Sequence, residues 1–462
     1  MNHRSVATSK VLRIVKMNTH TPTDARRLNA ISVKKLFGVF EHRIELNEER
    51  ITIIHGPNGF GKTAVLRLVA GFFERHYSML RNVPFESVSF ELSDLPTICV
   101  TQIPSKQNGV KTKPGLQIQC GEHSWEWRHR SSPGIELPRH FLEEQIPGLH
   151  RVEEDVWFDN QSGEQLDTAE VLDRFAEYLP VKHQPDKTPE WLQEIQNSVH
   201  VYFIRANRLE SPTIPDQLRT PRRRPFPSAP AVATYANELS QRIQRVQTEY
   251  AKLSQTLDRS FPLRIMSLNV GNTLLLEDVK QRLAALDQQR KDLNDAGLLE
   301  QMSQEGFEQL PEPDESQLGV LTVYIDDVTQ KLGVFRDLRE RIELFRELLN
   351  ARFLYKQVRI DRRQGLVFQT DAGQELLPTS LSTGEQHEVV ILYQLLFLTQ
   401  PDSLVLIDEP EISLHVAWQK PFLNDMARIA QLSKVNFLIA THSPQIISNR
   451  WDLTVELKGP QT

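Results

Sequence analysis

The sequence predicts an α/β fold, a mixed sheet with flanking helices, interrupted by a helical, coiled-coil-like insertion. Three stretches predict it. Gly56 to Thr63, GPNGFGKT, stands between the β-branched run Ile51-Thr52-Ile53-Ile54 and the apolar Ala64 to Val69, which is the order strand, glycine-rich loop, helix. Leu404 to Ile407 reads as a short buried strand that delivers Asp408-Glu409 at its C-terminal end. Between them, Leu239, Ile243, Val246, Tyr250, Leu253 and Leu257 follow a 4-3-4-3-4 spacing, an a/d helical seam.

The remaining elements follow in order. Residues 1–29 are polar and aperiodic, a disordered leader. ISVKKLF and RIEL are short strands before the loop strand, and Phe37, Phe40 or His42 could lie against a base or simply belong to the core. The helix after the loop reaches about Leu80, with Leu66, Val69, Ala70 and Phe73 on its buried stripe. Strand patterns recur at 85–92, 97–101 and 116–128, the last placing Trp125 and Trp127 on one sheet face as packing. Helices are expected at 169–178 and 190–197, and a buried strand at 201–204.

The stretch 211–230 is too proline-rich for helix or sheet and reads as an extended linker, whose Arg222-Arg223-Arg224 is either a phosphate contact or a solvated face. Residues 231–353 make three helices, the first about 27 residues and ~40 Å long, too short to span distant DNA segments. A hairpin at 354–369, a helix from about Glu385 to Leu398, a helix at 416–429, and strands at 436–440 and 453–457 complete the chain.

Composition bounds the chemistry. The 462 residues allow two or three domains, and two cysteines, Cys99 and Cys120, supply neither a disulfide framework nor a metal-ligand spacing. No apolar run approaches the roughly 20 residues of a membrane span, so a cytoplasmic protein with no membrane partner is expected. The net charge of −6 argues against coating nucleic acid through a bulk field and leaves local contacts open.

The glycine-rich loop can turn the N–H groups of Asn58, Gly59, Phe60, Gly61, Lys62 and Thr63 toward phosphates at a helix N-terminus. Lys62 adds a point charge and Thr63 a hydroxyl for Mg²⁺. Asp408 can hold the same ion, and Glu409, one residue on, can take a proton from attacking water. In LSTGEQ, residues 381–386, Ser382 and Gly384 can present a hydroxyl and a close N–H to a γ-phosphate; Ser382 followed by Glu385 also reads as a plain capping box.

Together these motifs resemble the ABC-type ATPases. GPNGFGKT is similar to the Walker A motif, LSTGEQ to the signature, LVLIDEP to Walker B, Glu411 to His415 to the D-loop, and His442 in IATHSPQII to the switch histidine. The long insertion and the wordings DEPEISLH and THSPQII are similar to the SMC, RecF and OLD-nuclease branch rather than to transporters. The resemblance implies an ABC-type P-loop ATPase head: an N-terminal lobe at 30–210, the linker, the insertion, and a C-terminal lobe at 354–462. It implies ATP and Mg²⁺ as cofactors and two heads sandwiching nucleotide. Ser382, Gly384 and Glu385 would then serve the partner subunit's ATP, and His442 the γ-phosphate held by its own Lys62. The glutamine of the Q-loop has only Gln102 and Asn207 as candidates, so that role is unassigned.

OLD proteins append a nuclease that this chain does not show. The wording therefore most resembles the ATPase subunits of bacterial anti-phage systems of the PARIS (AriA) and Septu (PtuA) types. There the resemblance implies a homo-oligomeric scaffold, hexamers included, an effector nuclease partner of TOPRIM-like or HNH type, and a phage trigger protein. The alternative is a RecF- or SMC-like DNA-repair or chromosome-maintenance ATPase that binds DNA.

Overall fold

A computed structural model describes residues 26–107, 110–128, 139–146, 149–153, 156–159, 164–175, 188–204, 231–267, 275–299, 313–413 and 416–460. The expected leader up to residue 25, the 211–230 linker, Asn207 and His415 lie outside them. The chain forms two compact units, residues 1–208 with 400–462, and residues 209–399.

The first unit opens with β1 (Leu28–Leu36) and β2 (Phe40–Glu45), paired antiparallel as a hairpin. β1 starts two residues inside the expected leader, because Leu28 is already buried against β4. β3 (Ile51–His55) leads through the glycine-rich loop into α1 (Lys62–Phe73). The single helix expected to reach Leu80 is two, since Arg75 takes a left-handed φ of 62° and α2 (Tyr77–Asn82) restarts beyond it. β4 (Ser87–Leu92), β5 (Ile98–Gln107), β6 (Val110–Cys120) and β7 (His123–Trp127) complete a six-stranded antiparallel sheet in the order β2-β1-β4-β5-β6-β7. The strand expected at 116–128 is therefore a hairpin, turned at Gly121 with φ 56°. Trp125 and Trp127 do share a face, packing on Tyr77 at 5.4 and 5.7 Å between ring centroids.

A small subassembly has, apart from the helix expected at 169–178, no counterpart among the sequence patterns. α3 (Arg139–Gln145), β8 (Leu149–Glu153), β9 (Val156–Asp159), β10 (Glu164–Asp167) and α4 (Thr168–Arg174) enclose a core of Leu142, Ile146, Leu149, Trp157, Leu166 and Val171. Strands of four or five residues are too short to establish a two-residue alternation. α5 (Glu190–Asn197) and β11 (Val201–Ile204) fall where periodicity places them.

The second unit is led by α6 (Ala231–Met266), whose 36 residues exceed the 27 expected and span about 54 Å. It runs through Pro262, and the Arg264 guanidinium, paired with Asp327, donates to the Leu257 carbonyl at 2.8 Å. α7 (Leu276–Asp295) buries Val279, Leu283, Leu286 and Leu293 as expected. The expected third helix is split at Val334-Phe335 into α8 (Glu315–Gly333) and α9 (Arg336–Arg352). β12 (Lys356–Asp361), β13 (Gly365–Thr370) and β14 (Glu375–Leu376) form a small antiparallel sheet. α10 (Thr383–Tyr393) follows, and its last turn widens to a π-helix at Gln394–Leu398. Residues 354–399 group with the second unit, where their sheet packs on α6 and α9.

Gly365 marks how tightly. At φ 74° a Cβ there would stand 1.7 Å from the Ala236 carbonyl oxygen. Gly365→Ala is expected to destabilise this unit by about 3 kcal/mol or more, read as a shift of the urea midpoint. A midpoint equal to that of the unsubstituted protein would contradict the packing described.

The chain then returns to the first unit with β15 (Leu404–Asp408), α11 (Pro410–Ser413), α12 (Val416–Gln419), α13 (Phe422–Ser433), β16 (Asn436–Thr441), α14 (Pro444–Ile447) and β17 (Thr454–Glu456). The helix expected over 416–429 is broken before Pro421, whose missing N–H and ring exclude a continuous ladder. A five-stranded, all-parallel sheet results, in the order β11-β15-β16-β3-β17. Its central strands β3, β15 and β16 are almost wholly buried, as a covered parallel sheet requires, and α1 packs on the sheet. The α/β class, with mixed sheets, flanking helices and a helical insertion, is the class the sequence predicts.

Candidate functional site

Register in the parallel sheet decides what meets at its C-terminal edge. Asp408 on β15 pairs with Ala440 on β16, and Thr441 pairs with His55 on β3, so the three strand ends stand level. In open parallel sheets that edge is where ligands bind.

The loop leaving β3 is shaped by its glycines. Gly59 and Gly61 take φ of 86° and 90°, and a Cβ on Gly61 would meet Leu36 at 2.4 Å. The turn starts α1 at Lys62, a buried residue whose ammonium donates to the carbonyls of Gly56 at 2.9 Å and Pro57 at 3.2 Å. Thr63 Oγ1 donates to Asp408 Oδ1 at 2.9 Å, which ties the loop to the end of β15.

Asp408 is 8% exposed, and its pKa is pushed up to about 6. Burial is the main cause, with the nearby Glu409 and Glu411 adding to it, while the Thr63 hydroxyl and Arg67 oppose it. A raised carboxyl pKa favours the folded state most at low pH. That contribution is complete below about 3.8 and is lost as pH rises through about 6, a change on the order of 3 kcal/mol. Ligand-free protein is expected to lose stability over this window by chemical denaturation, and Asp408→Asn to flatten the loss. An Asp408→Asn profile as steep as the parent's would show that another group carries the dependence.

Glu409 is reached by a backbone step that no sequence pattern displays. It adopts φ 43°, its N–H continues the ladder to the Ala440 carbonyl at 2.8 Å, and its side chain lines a cavity of about 310 Å³. A left-handed, non-glycine residue at a strand end is the kind of local strain that clusters at functional sites. Asn58, Gly59, Gly61, Lys62 and Thr63 line the same cavity.

His442 follows β16, with its Nδ1 4.0 Å from Glu409 Oε1 and 3.0 Å from Glu411 Oε1. Thus Lys62, Thr63, Asp408, Glu409 and His442 all belong to one edge. The Phe60 ring packs on Phe40 at 5.2 Å, and its carbonyl accepts from the His42 ring at 2.9 Å. His42 is buried, which lowers its pKa against the backbone bonds that oppose this. Of the three aromatic candidates only Phe37 lines the cavity, half exposed and at φ 52°. Gln102 is spent elsewhere, donating to the Val83 carbonyl at 2.8 Å.

Arg67, Asn82, Val83 and Pro84 line the cavity without having been singled out. Arg67 had a legible signal, since it stands four residues after Thr63 on one helix face. The turn after α2 had none.

Ser382, Gly384 and Glu385 belong to the second unit. Ser382 caps α10 in a capping box, its N–H donating to Glu385 Oε2 at 2.9 Å and its hydroxyl to the same oxygen at 2.8 Å. Burial pushes the Glu385 pKa up, but the Lys356 ammonium at 2.8 Å and the Ser382 bonds outweigh it and hold it below the ordinary range. Gly384 is in ordinary helical geometry, and a methyl group added there would meet nothing within 4 Å, so no packing inside the described chain requires glycine.

An Mg²⁺ ion prefers hard oxygen ligands and keeps waters and phosphate oxygens besides. A hydroxyl and a buried carboxylate 2.9 Å apart at a cavity edge fit that ion. Among the described residues no helix is long and apolar enough to cross a membrane.

Residues 269–448 match the family described as "AAA domain, putative AbiEii toxin, Type IV TA system". No curated protein sequence matches the chain. Similar solved structures include the Smc head domain of Pyrococcus furiosus, with an extended coiled coil and bound to the C-terminal domain of ScpA, at 13% identity and a TM-score of 0.33 over 92% of each chain. Another is the SMC head domain of Thermotoga maritima, at 11% identity and a TM-score of 0.30 over 91% of each chain. Values this low carry no inference about activity or partners.

Proposed function

We propose that this chain binds and hydrolyses ATP at the C-terminal edge of its parallel sheet and acts as the sensor and scaffold subunit of an anti-phage complex that holds and regulates an effector nuclease. The observation that carries the ATPase part is the Thr63–Asp408 hydrogen bond, which joins the phosphate loop to the acidic strand end, with Glu409 lining the same cavity.

In this reading the loop N–H groups and Lys62 cradle the β- and γ-phosphates, and Thr63 and Asp408 hold Mg²⁺. Bound there, the ion neutralises charge that develops on the phosphate oxygens. Glu409 orients the attacking water and takes its proton, and His442 contacts the γ-phosphate. Phe37 offers a half-exposed ring at the cavity for the base. Gly384 supports a role for the signature outside its own chain. Gly384 stands in the first turn of α10, and nothing among the described residues requires a glycine there. Close approach by the nucleotide of a second copy would explain it, and such a site is completed only in a homo-oligomer.

The defence role is favoured over chromosome maintenance by the similarity of residues 269–448 to a family described through a toxin–antitoxin system. A plaque assay tests it, in cells that carry this chain with a nuclease encoded beside it. Protection that disappears with Lys62→Ala is the expected result. Protection indifferent to Lys62, or ATPase activity stimulated by duplex DNA whose affinity falls steeply with salt, would favour the DNA-maintenance alternative instead.

A further inference from the structure

Glu411 is a buried carboxylate at this site to which the functional reading gives no part. It lies in α11, and its side chain is 7% exposed. Three groups at the end of β16 converge on a single one of its oxygens, Oε1: the Thr441 hydroxyl at 2.8 Å, the His442 backbone N–H at 3.0 Å and His442 Nδ1 at 3.0 Å. The other oxygen, Oε2, is buried and has no hydrogen-bond partner among the described residues. The Glu411 carbonyl in turn accepts from the Gln419 side chain at 3.1 Å, which fixes the segment from behind.

An ionised carboxylate can only accept, and at 3.0 Å a hydrogen on Nδ1 is favoured over a lone pair turned toward that oxygen. That leaves Nε2 as the atom free to meet a ligand, on a side chain that is 46% exposed. Half-satisfied buried carboxylates are costly, and this one is directed at a ring whose orientation matters to the proposed chemistry.

We infer that Glu411 is a positioning residue for His442: it holds the imidazole as the Nδ1–H tautomer and directs Nε2 outward to the γ-phosphate. The inference rests on the ATPase reading for the identity of that phosphate, but the tautomer does not. A purely structural alternative has Glu411 tying α11 to β16 through Thr441 and the His442 backbone alone. The two differ in what happens to the imidazole.

The test uses the full chain without nucleotide, with ¹⁵N-labelled histidine and a His442→Gln spectrum to assign the signal. His442 is expected as Nδ1–H in the parent and shifted toward Nε2–H in Glu411→Ala. Glu411→Gln keeps an acceptor for Thr441 and the backbone N–H and removes only the charge, so it serves if the alanine variant does not fold. Kinetically, kcat for ATP should fall about 10–100-fold in Glu411→Gln with KM within about twofold. An unchanged tautomer in Glu411→Ala overturns the inference, as does a parental kcat in Glu411→Gln. If the parent itself does not hydrolyse ATP, the ATPase reading fails, and the spectra still decide the role of Glu411.

Discussion

Lys62→Ala is expected to weaken ATP binding by about 10²–10³-fold, measured by isothermal titration with Mg²⁺ present. Lys62 is 5% exposed as a residue, and its ammonium is bound to two carbonyls of its own loop, at 2.9 and 3.2 Å. Phosphate oxygens would replace these weak acceptors with charged ones. Charge-assisted hydrogen bonds contribute roughly 1.5–3 kcal/mol each, and two of them reach the stated loss at about 1.4 kcal/mol per decade. Arg67 lines the same cavity and keeps one cation there, so binding is weakened rather than reduced to background. Affinity within about threefold of the parent's would remove the phosphate cradle from the reading.

Glu409→Gln should show the opposite pattern, with ATP bound as before and hydrolysis slowed by about 10²–10⁴-fold, the usual reach of a general base. The amide keeps the size of the side chain and the backbone step at φ 43°, so the cavity is preserved while the proton acceptor is lost. Slow turnover should also accumulate the nucleotide-bound assembly, visible as a larger mass by light scattering with ATP than without. Hydrolysis at the parental rate would move the base elsewhere, and His442, whose Nδ1 stands 4.0 Å from Glu409, is the next group to examine.

The features legible in the sequence are those whose chemistry is contiguous. GPNGFGKT and LVLIDE each hold their strand, turn and reacting groups within a dozen residues, so the strand ends and the loop could be assigned before any contact was seen. The helical seam was legible for the same reason, but its length was not: apolar spacing stops at Leu257, whereas α6 continues through Pro262 to Met266. Glu411 was visible only as part of a motif, since its partners Thr441 and His442 lie 30 and 31 residues away. The left-handed step at Glu409 and the packing of the Phe60 ring on Phe40 leave no periodic trace, because both follow from tertiary packing rather than from local propensity.

The order of the parallel sheet bears on how the protein is made. β3 lies between β16 and β17, so the strand that carries the phosphate loop has no neighbour from its own half of the chain. Its first partner emerges from the ribosome roughly 380 residues later, or about 20–75 s at 5–20 residues per second. Throughout that interval Ile51, Ile53 and Ile54 form an apolar segment with two open edges, a template for mispairing between nascent chains. Yield in cells should therefore depend more on ribosome traffic and holding chaperones than on the thermodynamic stability of the finished sheet.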